Sequence, residues 1–401
     1  MIVIGITGTK GKTTVTNLIA RGLESAGKKV FMFSTANYSI NGVWSENNMK
    51  MTSPSPFDLQ RLLSQAKEAG CEYAVIETSS HSIFYNRNYG IDYDVAVLTN
   101  IAQDHLDLHH TMDHYVETKL RLFKNLVTYR RKAGVKKVAI INLDSDYATR
   151  FLSETTPDTM YTYGTASNAQ IRAQNIQYLK DGTEFEVRMP SNTFTIKTKL
   201  RGAFNVANIL ATISALVSQR VDILTITRTI EEVEVIPGRL EEIPNGDGFT
   251  IFVDYAHTED SLRNVLETVR NIEGTKRVIT VFGATGDRDT TKRPKMGRIA
   301  DSLSDAVILT EDDNYTEDGL RIIRNVSMGI KRKEGEGFWI IPSREDAIRT
   351  ALIMAEQDDI VLIAGKGAET VQVTNAGAIP WDDREVTRRI LREMEGNEIA
   401  G

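Results

Sequence analysis

Cysteine is nearly absent: the 401 residues hold one, Cys71. That excludes an intramolecular disulfide and any zinc site built from several thiolates. Cys71 lies in a short apolar flank and reads as a core residue. A basic excess is absent too. The formal net charge is -6, without the positive footprint that nonspecific nucleic-acid binding requires. No apolar run reaches the ~18 residues needed to span a bilayer. The N-terminus has neither a basic start nor a cleavage site, and its apolar run Ile2–Thr7 goes straight into a glycine turn, so a signal peptide is not expected. Solenoid repeats and low-complexity segments are missing as well. What remains is a chain long enough for two or three domains, expected in the cytoplasm, with no nucleic-acid or membrane partner.

What is present is alternation. Short β-branched runs stand at Ile2–Thr7, Val30–Ser34, Tyr73–Thr78, Val95–Asn100, Lys137–Asn142, Thr250–Asp254, Arg277–Gly283, Ala306–Thr310, Trp339–Ile341 and Ile360–Ala364. Most are continuously apolar, as expected for strands covered on both faces. Helix signals lie between them. Ser55-Pro56 with Asp58 starts one helix, and Ser343 with Glu345 and Asp346 starts another. The expected fold is α/β with mainly parallel sheets. Between Tyr161 and Lys199 the pattern alternates and turns at Asp181-Gly182 and Ser191-Asn192, which predicts a small antiparallel insertion with hairpins. Pro237-Gly238 marks a boundary, giving domains at 1–235 and 236–401.

Gly8-Thr9-Lys10-Gly11-Lys12-Thr13-Thr14 follows the first strand and opens a helix predicted to run to Ser25. Glycines let backbone N–H groups approach phosphate oxygens, and the helix N-terminus adds positive partial charge. Lys12 can reach the β- and γ-phosphates of ATP, and the Thr13 hydroxyl can ligate Mg²⁺. Ile6 stands where the general pattern has its first glycine. Two further segments follow strands that should end on the same sheet edge, where ligands bind in α/β folds. One is Glu77-Thr78-Ser79-Ser80-His81. The other carries Asn100, Asp104, His105, Asp107 and His109. Glu77 and His105 become candidate Mg²⁺ ligands, although imidazole is an unusual partner for so hard an ion.

These residues belong to a longer series: T-S-P at Thr52–Pro54, E-T-S-S-H at Glu77–His81, N-I-A-Q-D-H-L-D-L-H at Asn100–His109 and Y-V-E-T-K-L-R-L-F at Tyr115–Phe123. It continues through N-L-D at Asn142–Asp144, F-N-V-A-N at Phe204–Asn208, P-G-R-L-E at Pro237–Glu241 and V-D-Y-A-H-T at Val253–Thr258. It ends with G-D-R-D-x-x-K-R-P at Gly286–Pro294, A-G-K-G-A-E at Ala364–Glu369 and D-R-E at Asp383–Glu385. In this order the motifs resemble the Mur ligase family, most nearly its MurE type, the UDP-N-acetylmuramoyl-dipeptide: amino-acid ligases.

The resemblance implies a P-loop central domain followed by a Rossmann-like C-terminal domain. It implies an ADP-forming ligase that makes an acyl-phosphate from ATP and a carboxylate donor and joins it to an amino acid. Gly8, Thr9, Gly11, Lys12, Thr13 and Thr14 would hold the phosphates. Thr13, Glu77 and His105 would hold one Mg²⁺, and a carbamylated Lys119 would help to hold a second. Asn205 would meet adenine, Asp254 ribose, and His257 the nucleotide side. Arg239 would sense the phosphates from the interdomain hinge. Thr52, Ser53, Ser79 and Arg87 would grip the donor, and Arg288, Asp312, Asp313, Gly365 and Glu369 the incoming amino acid. A monomer is expected. Because the phosphate loop begins at Gly8, the family's N-terminal UDP-binding domain is expected to be missing. Where the diaminopimelate pattern D-N-P-R is implied, the chain reads Asp312-Asp313-Asn314-Tyr315, without an arginine for the distal carboxylate. Ala368 and Glu259 depart from the family's frequent histidine and proline. Alternatives are a different carboxylate donor, as in folylpolyglutamate synthetases, or an ATP-binding module without ligase activity of its own.

Overall fold

The computed structural model describes residues 1–47, 52–179 and 181–398, with backbone only at 46, 106, 107 and 396–398. One compact unit is formed by Met1–Gln177 and Asp181–Glu234, and the other takes in Tyr178 and Leu179 together with the chain from Val235 onward.

The first unit is built on β1 (Ile2–Thr7), β2 (Val30–Phe33), β3 (Asn37–Ile40), β4 (Val43–Glu46), β5 (Tyr73–Glu77), β6 (Val95–Leu98), β7 (Val138–Asn142), β8 (Thr159–Gly164), β9 (Ile171–Leu179), β10 (Gly182–Met189) and β11 (Asn192–Thr198). They form one sheet in the order β11-β10-β9-β8-β7-β6-β1-β5-β2-β3-β4. From β2 to β8 the pairs are parallel, with Ile4 of β1 opposite Val75 of β5 and Val95 of β6. Parallel pairing buries both faces, which is why these strands read as unbroken apolar runs. It also puts the residues after β1, β2, β5 and β6 on one edge. One core face gathers Phe31, Phe33, Ala74, Ile76, Tyr93, Leu98, Leu120, Phe123 and Cys71.

Two features differ from the sequence pattern. Strands β3 and β4 form a hairpin that strand propensity does not reveal. Its signal is the Asn41-Gly42 dipeptide, whose φ values of 52° and 79° fit a two-residue turn with both central residues left-handed. The hairpin expected within Tyr161–Lys199 exists as antiparallel β10–β11. It continues the main sheet rather than standing apart, because β8 pairs parallel with β7 and β9 pairs parallel with β8.

The second unit has β12 (Glu241–Ile243), β13 (Thr250–Asp254), β14 (Val278–Phe282), β15 (Ala306–Leu309), β16 (Phe338–Ile340) and β17 (Ile360–Ala364), ordered β12-β13-β17-β14-β15-β16. All pairs but β12–β13 are parallel. Phe252, Phe282 and Leu362 face one core with Leu262, Leu266 and Met296. Ile251, Val281 and Val361 face another with Ile348 and Ile390. A small hairpin, β18 (Val371–Thr374) with β19 (Gly377–Pro380), follows. Among the described residues no helix is long and apolar enough to cross a membrane.

Candidate active site

In the first unit, β1 delivers Gly8–Thr14 to the carboxyl edge, and the helix Lys12–Ser25 starts inside the motif. Gly11 has φ 80°, and a Cβ there would lie 2.1 Å from Asn208 Oδ1. No other L-residue suits that point, on either backbone or space. Lys12 Nζ folds back over the loop and donates to the carbonyls of Gly8 (3.1 Å) and Thr9 (2.9 Å). Thr13 Oγ1 donates to Glu77 Oε2 at 2.9 Å, and the same oxygen accepts Thr35 N at 2.8 Å. Thr13 and Glu77 are both buried.

Lys119 comes from the helix Met112–Lys124. Its buried Nζ donates to Gly8 O at 2.8 Å and sits 4.5 Å from the Tyr115 ring centre. Burial, helped by the charge of Lys12, pushes its ammonium well below the usual lysine range against the pull of Asp104. Tyr115 OH in turn lies 3.0 Å from Thr9 Oγ1. His105 has a positive φ of 53° and packs edge-on against His81, with ring centres 4.5 Å apart. Burial drives its imidazole down to about 4, opposed by Asp104, so the ring is neutral near pH 7. The side chain of Asp107 lies outside the described residues.

Ser79 caps the helix Ser80–Phe84 by accepting Ser82 N at 3.1 Å. Arg87 donates to Ser53 O at 3.3 Å, and Thr35 Oγ1 donates to Thr52 Oγ1 at 3.0 Å. Among the described residues Ser53 Oγ and Ser80 Oγ are buried without a hydrogen-bond partner. Asn205 is not the N-cap of its helix; that position is Gly202. Its amide donates to Arg201 O at 2.9 Å and accepts from Asn208 at 3.1 Å.

The second unit gathers its candidates at its own carboxyl edge. Asp254 Oδ2 accepts Leu240 N at 2.6 Å. Arg239 lies over the Tyr255 ring at 4.5 Å, and His257 Nδ1 is 2.7 Å from Tyr255 O. Asp313 Oδ1 and Glu369 Oε2 each accept from Lys366 Nζ at 2.9 Å. Asp312 caps its neighbour, accepting Asp313 N at 2.6 Å. Gly365 has φ 123°, and a Cβ there would lie 2.6 Å from Asp312 Oδ2. Burial alone would lower Lys366, but Asp312, Glu369 and Asp313 outweigh it and hold the ammonium above the ordinary lysine range. Arg288 is exposed, with its guanidinium 5.4 Å from the ring centre of Tyr315, whose hydroxyl also feels Asp313, Glu369 and Lys366. Sequence alone does not single out Lys366, Tyr115 or Asn208. Lys366 sits in plain view in A-G-K-G-A-E, but its full burial between carboxylates depends on the fold.

A hard cation fits the first cluster on its donor chemistry: a hydroxyl and a carboxylate side by side, with nucleotide oxygens to complete the shell. Among the described residues no group of three His, Cys, Asp or Glu side chains could by itself hold a metal ion.

A phosphate loop at the edge of a parallel sheet, with a buried carboxylate and a buried lysine against it, defines a nucleotide-dependent α/β enzyme handling phosphoryl groups. The Mur ligase middle domain matches residues 6–216, and the Mur ligase, glutamate ligase domain matches residues 238–367. The chain belongs to the Mur ligase family. It is 39% identical over 391 residues to the UDP-N-acetylmuramoyl-L-alanyl-D-glutamate--2,6-diaminopimelate ligase of Geobacillus thermodenitrificans (strain NG80-2), covering 97% of this chain and 78% of that one. It is 36% identical over 404 residues to the UDP-N-acetylmuramyl-tripeptide synthetase of Roseiflexus sp. (strain RS-1), covering 98% and 79%. A solved structure of a UDP-N-acetylmuramoyl-L-alanyl-D-glutamate--2,6-diaminopimelate ligase matches with TM-score 0.68 and 31% identity, covering 98% of this chain and 79% of that chain. The chain is accordingly an ATP-dependent, ADP-forming amide ligase of this family. The expected loss of an N-terminal domain is not borne out by these matches.

Proposed function

We propose that the chain joins an amino acid to the carboxylate of a UDP-MurNAc-peptide or a closely related cell-wall precursor, in the cytoplasm and as a monomer. In this reading residues 1–235 bind ATP and residues 236–401 form the Rossmann-like acceptor domain. The observation that carries it is the constellation of Lys12, Thr13, Glu77 and Lys119 around one loop. Phosphoryl transfer needs positioning and charge neutralisation more than covalent help from the protein.

Lys12 swings from the Gly8 and Thr9 carbonyls to the β- and γ-phosphates. Thr13 and Glu77, joined by His105, would hold one Mg²⁺, which would supply charge neutralisation for the phosphates. Lys119, depressed by burial, is a good candidate for reaction with CO₂, and its carbamate would offer oxygen to a second Mg²⁺. Asn205 and Asp254 contact adenine and ribose, with His257 and Arg239 on the nucleotide side. Thr52, Ser53, Ser79 and Arg87 hold the donor; the Ser53 hydroxyl, buried without a partner among the described residues, and the Arg87 bond to the Ser53 carbonyl support that assignment. Arg288, Asp312, Asp313, Gly365 and Glu369 receive the amino acid.

The test is phosphate release in Mg²⁺-ATP with a panel of amino acids and donors including UDP-MurNAc-dipeptide, followed together with product mass. Release that requires both a donor and an amino acid supports the reading. Release indifferent to both would mean a simple ATPase. A folate-type donor supporting turnover in place of the nucleotide sugar would move the enzyme to the alternative donor class. Gentle intact-mass measurement of active enzyme reads the carbamate directly: an unmodified Lys119 would remove it.

A further inference from the structure

An anion-binding loop must turn its carbonyl oxygens away from the phosphates while its N–H groups face them. Here each of three consecutive carbonyls is held by a donor. Gly8 O is held by Lys12 and Lys119, and Thr9 O by Lys12. Lys10 O accepts from Asn100 Nδ2 at 3.0 Å and from Thr99 Oγ1 at 2.6 Å. Asn100 does more than that. Its Oδ1 accepts Lys10 N at 3.0 Å, and its backbone carbonyl accepts Thr9 N at 2.8 Å. A Cβ on Gly8 would lie 2.9 Å from that same carbonyl and 1.9 Å from Thr99 Oγ1. The side-chain amide thus pairs with both polar groups of one loop residue across 90 positions of sequence. An amide side chain offers the donor and acceptor together that this pairing uses.

Ile6, in the place of the usual first glycine, is part of β1, and the loop's left-handed or strained points are Gly8 and Gly11. We propose that Asn100 is a positioning residue that imposes the phosphate-binding shape on Gly8–Gly11, so that nucleotide affinity depends on an amide that touches no phosphate. This rests on the reading of the loop as the ATP site.

The experiment is calorimetric titration of the full chain with a non-hydrolysable ATP analogue and Mg²⁺, with hydrogen exchange followed over residues 8–14. If Asn100→Ala drops the binding-competent population of the loop to about a tenth, apparent affinity falls about tenfold. KM for ATP should rise in step while kcat at saturating ATP changes little, and exchange should rise at Thr9 and Lys10 but not in the sheet. Asn100→Asp keeps the size and the acceptor but loses the donor, so it should weaken binding at least as much. A role in packing alone would leave exchange at Thr9 and Lys10 in that isosteric variant like wild type, whatever its added charge does to affinity. If Asn100→Ala does not fold, the aspartate variant is read on its own. Wild-type binding with unchanged affinity and exchange in the variants would overturn the proposal alone. Wild type that binds no analogue would overturn the ATP reading and the proposal with it.

Discussion

Arg293 is fully buried, and its guanidinium has one carboxylate partner among the hydrogen bonds described. It forks onto Glu317, at 2.9 and 2.7 Å, and also donates to Thr285 O. Those hydrogen bonds pull the Glu317 carboxyl from 4.5 down to about 2. A carboxylate depressed in the folded state contributes stability that is present above its unfolded value and is lost as pH falls through the folded one. Wild-type stability should therefore decline between pH 4.5 and about 2 in part through this group. Glu317→Gln should flatten that share of the decline. At pH 7 it should cost ~3 kcal/mol, because it leaves a buried cation without its counter-charge. Urea unfolding of both proteins across the acid range checks the two effects. An unchanged pH profile would show that the pair carries no acid linkage.

At the scale of elements, much was legible and the reasons are local. Ser343 with Glu345 and Asp346 announced a helix, and in the structure Ser343 Oγ accepts Asp346 N at 3.3 Å at the head of Arg344–Met354. The capping box at Thr258 was hidden, because Ser261 takes the third position where the usual signature has Glu or Gln. Both Ser343→Ala and Thr258→Ala should lower stability by ~1 kcal/mol, read as a shift in urea midpoint without a change in slope. A loss well under half that for either would mean water replaces the cap. The central strands were legible because burial on both faces leaves one unbroken apolar run. The hairpin β3–β4 was not, since its residues carry no clean alternation and only Asn41-Gly42 marks it. The phosphate loop was legible because loop, lysine and helix are contiguous. The pairing of Thr13 with Glu77 spans 64 positions and exists only because β1 and β5 are neighbours. The same holds for Lys366 with Asp313, brought together by β17 and β15 reaching one edge across β14.

The whole chain consists of two units, each with its own sheet and its own apolar core. Each is within the size range that buries a core unaided. Cut between Glu234 and Val235, the two fragments should each fold, with far-UV circular dichroism of α/β type and a cooperative melt. The first fragment keeps the phosphate loop, Glu77, Lys119 and Asn205, so it should bind a Mg²⁺-ATP analogue. It should not release phosphate in response to an amino acid, because Asp312, Asp313, Lys366 and Glu369 are all in the other fragment. A second fragment without a cooperative transition would show that its sheet depends on the first unit. Amino-acid-dependent turnover by residues 1–234 alone would instead show that the acceptor is received beside the phosphate loop, and that the acidic cluster around Lys366 serves the fold.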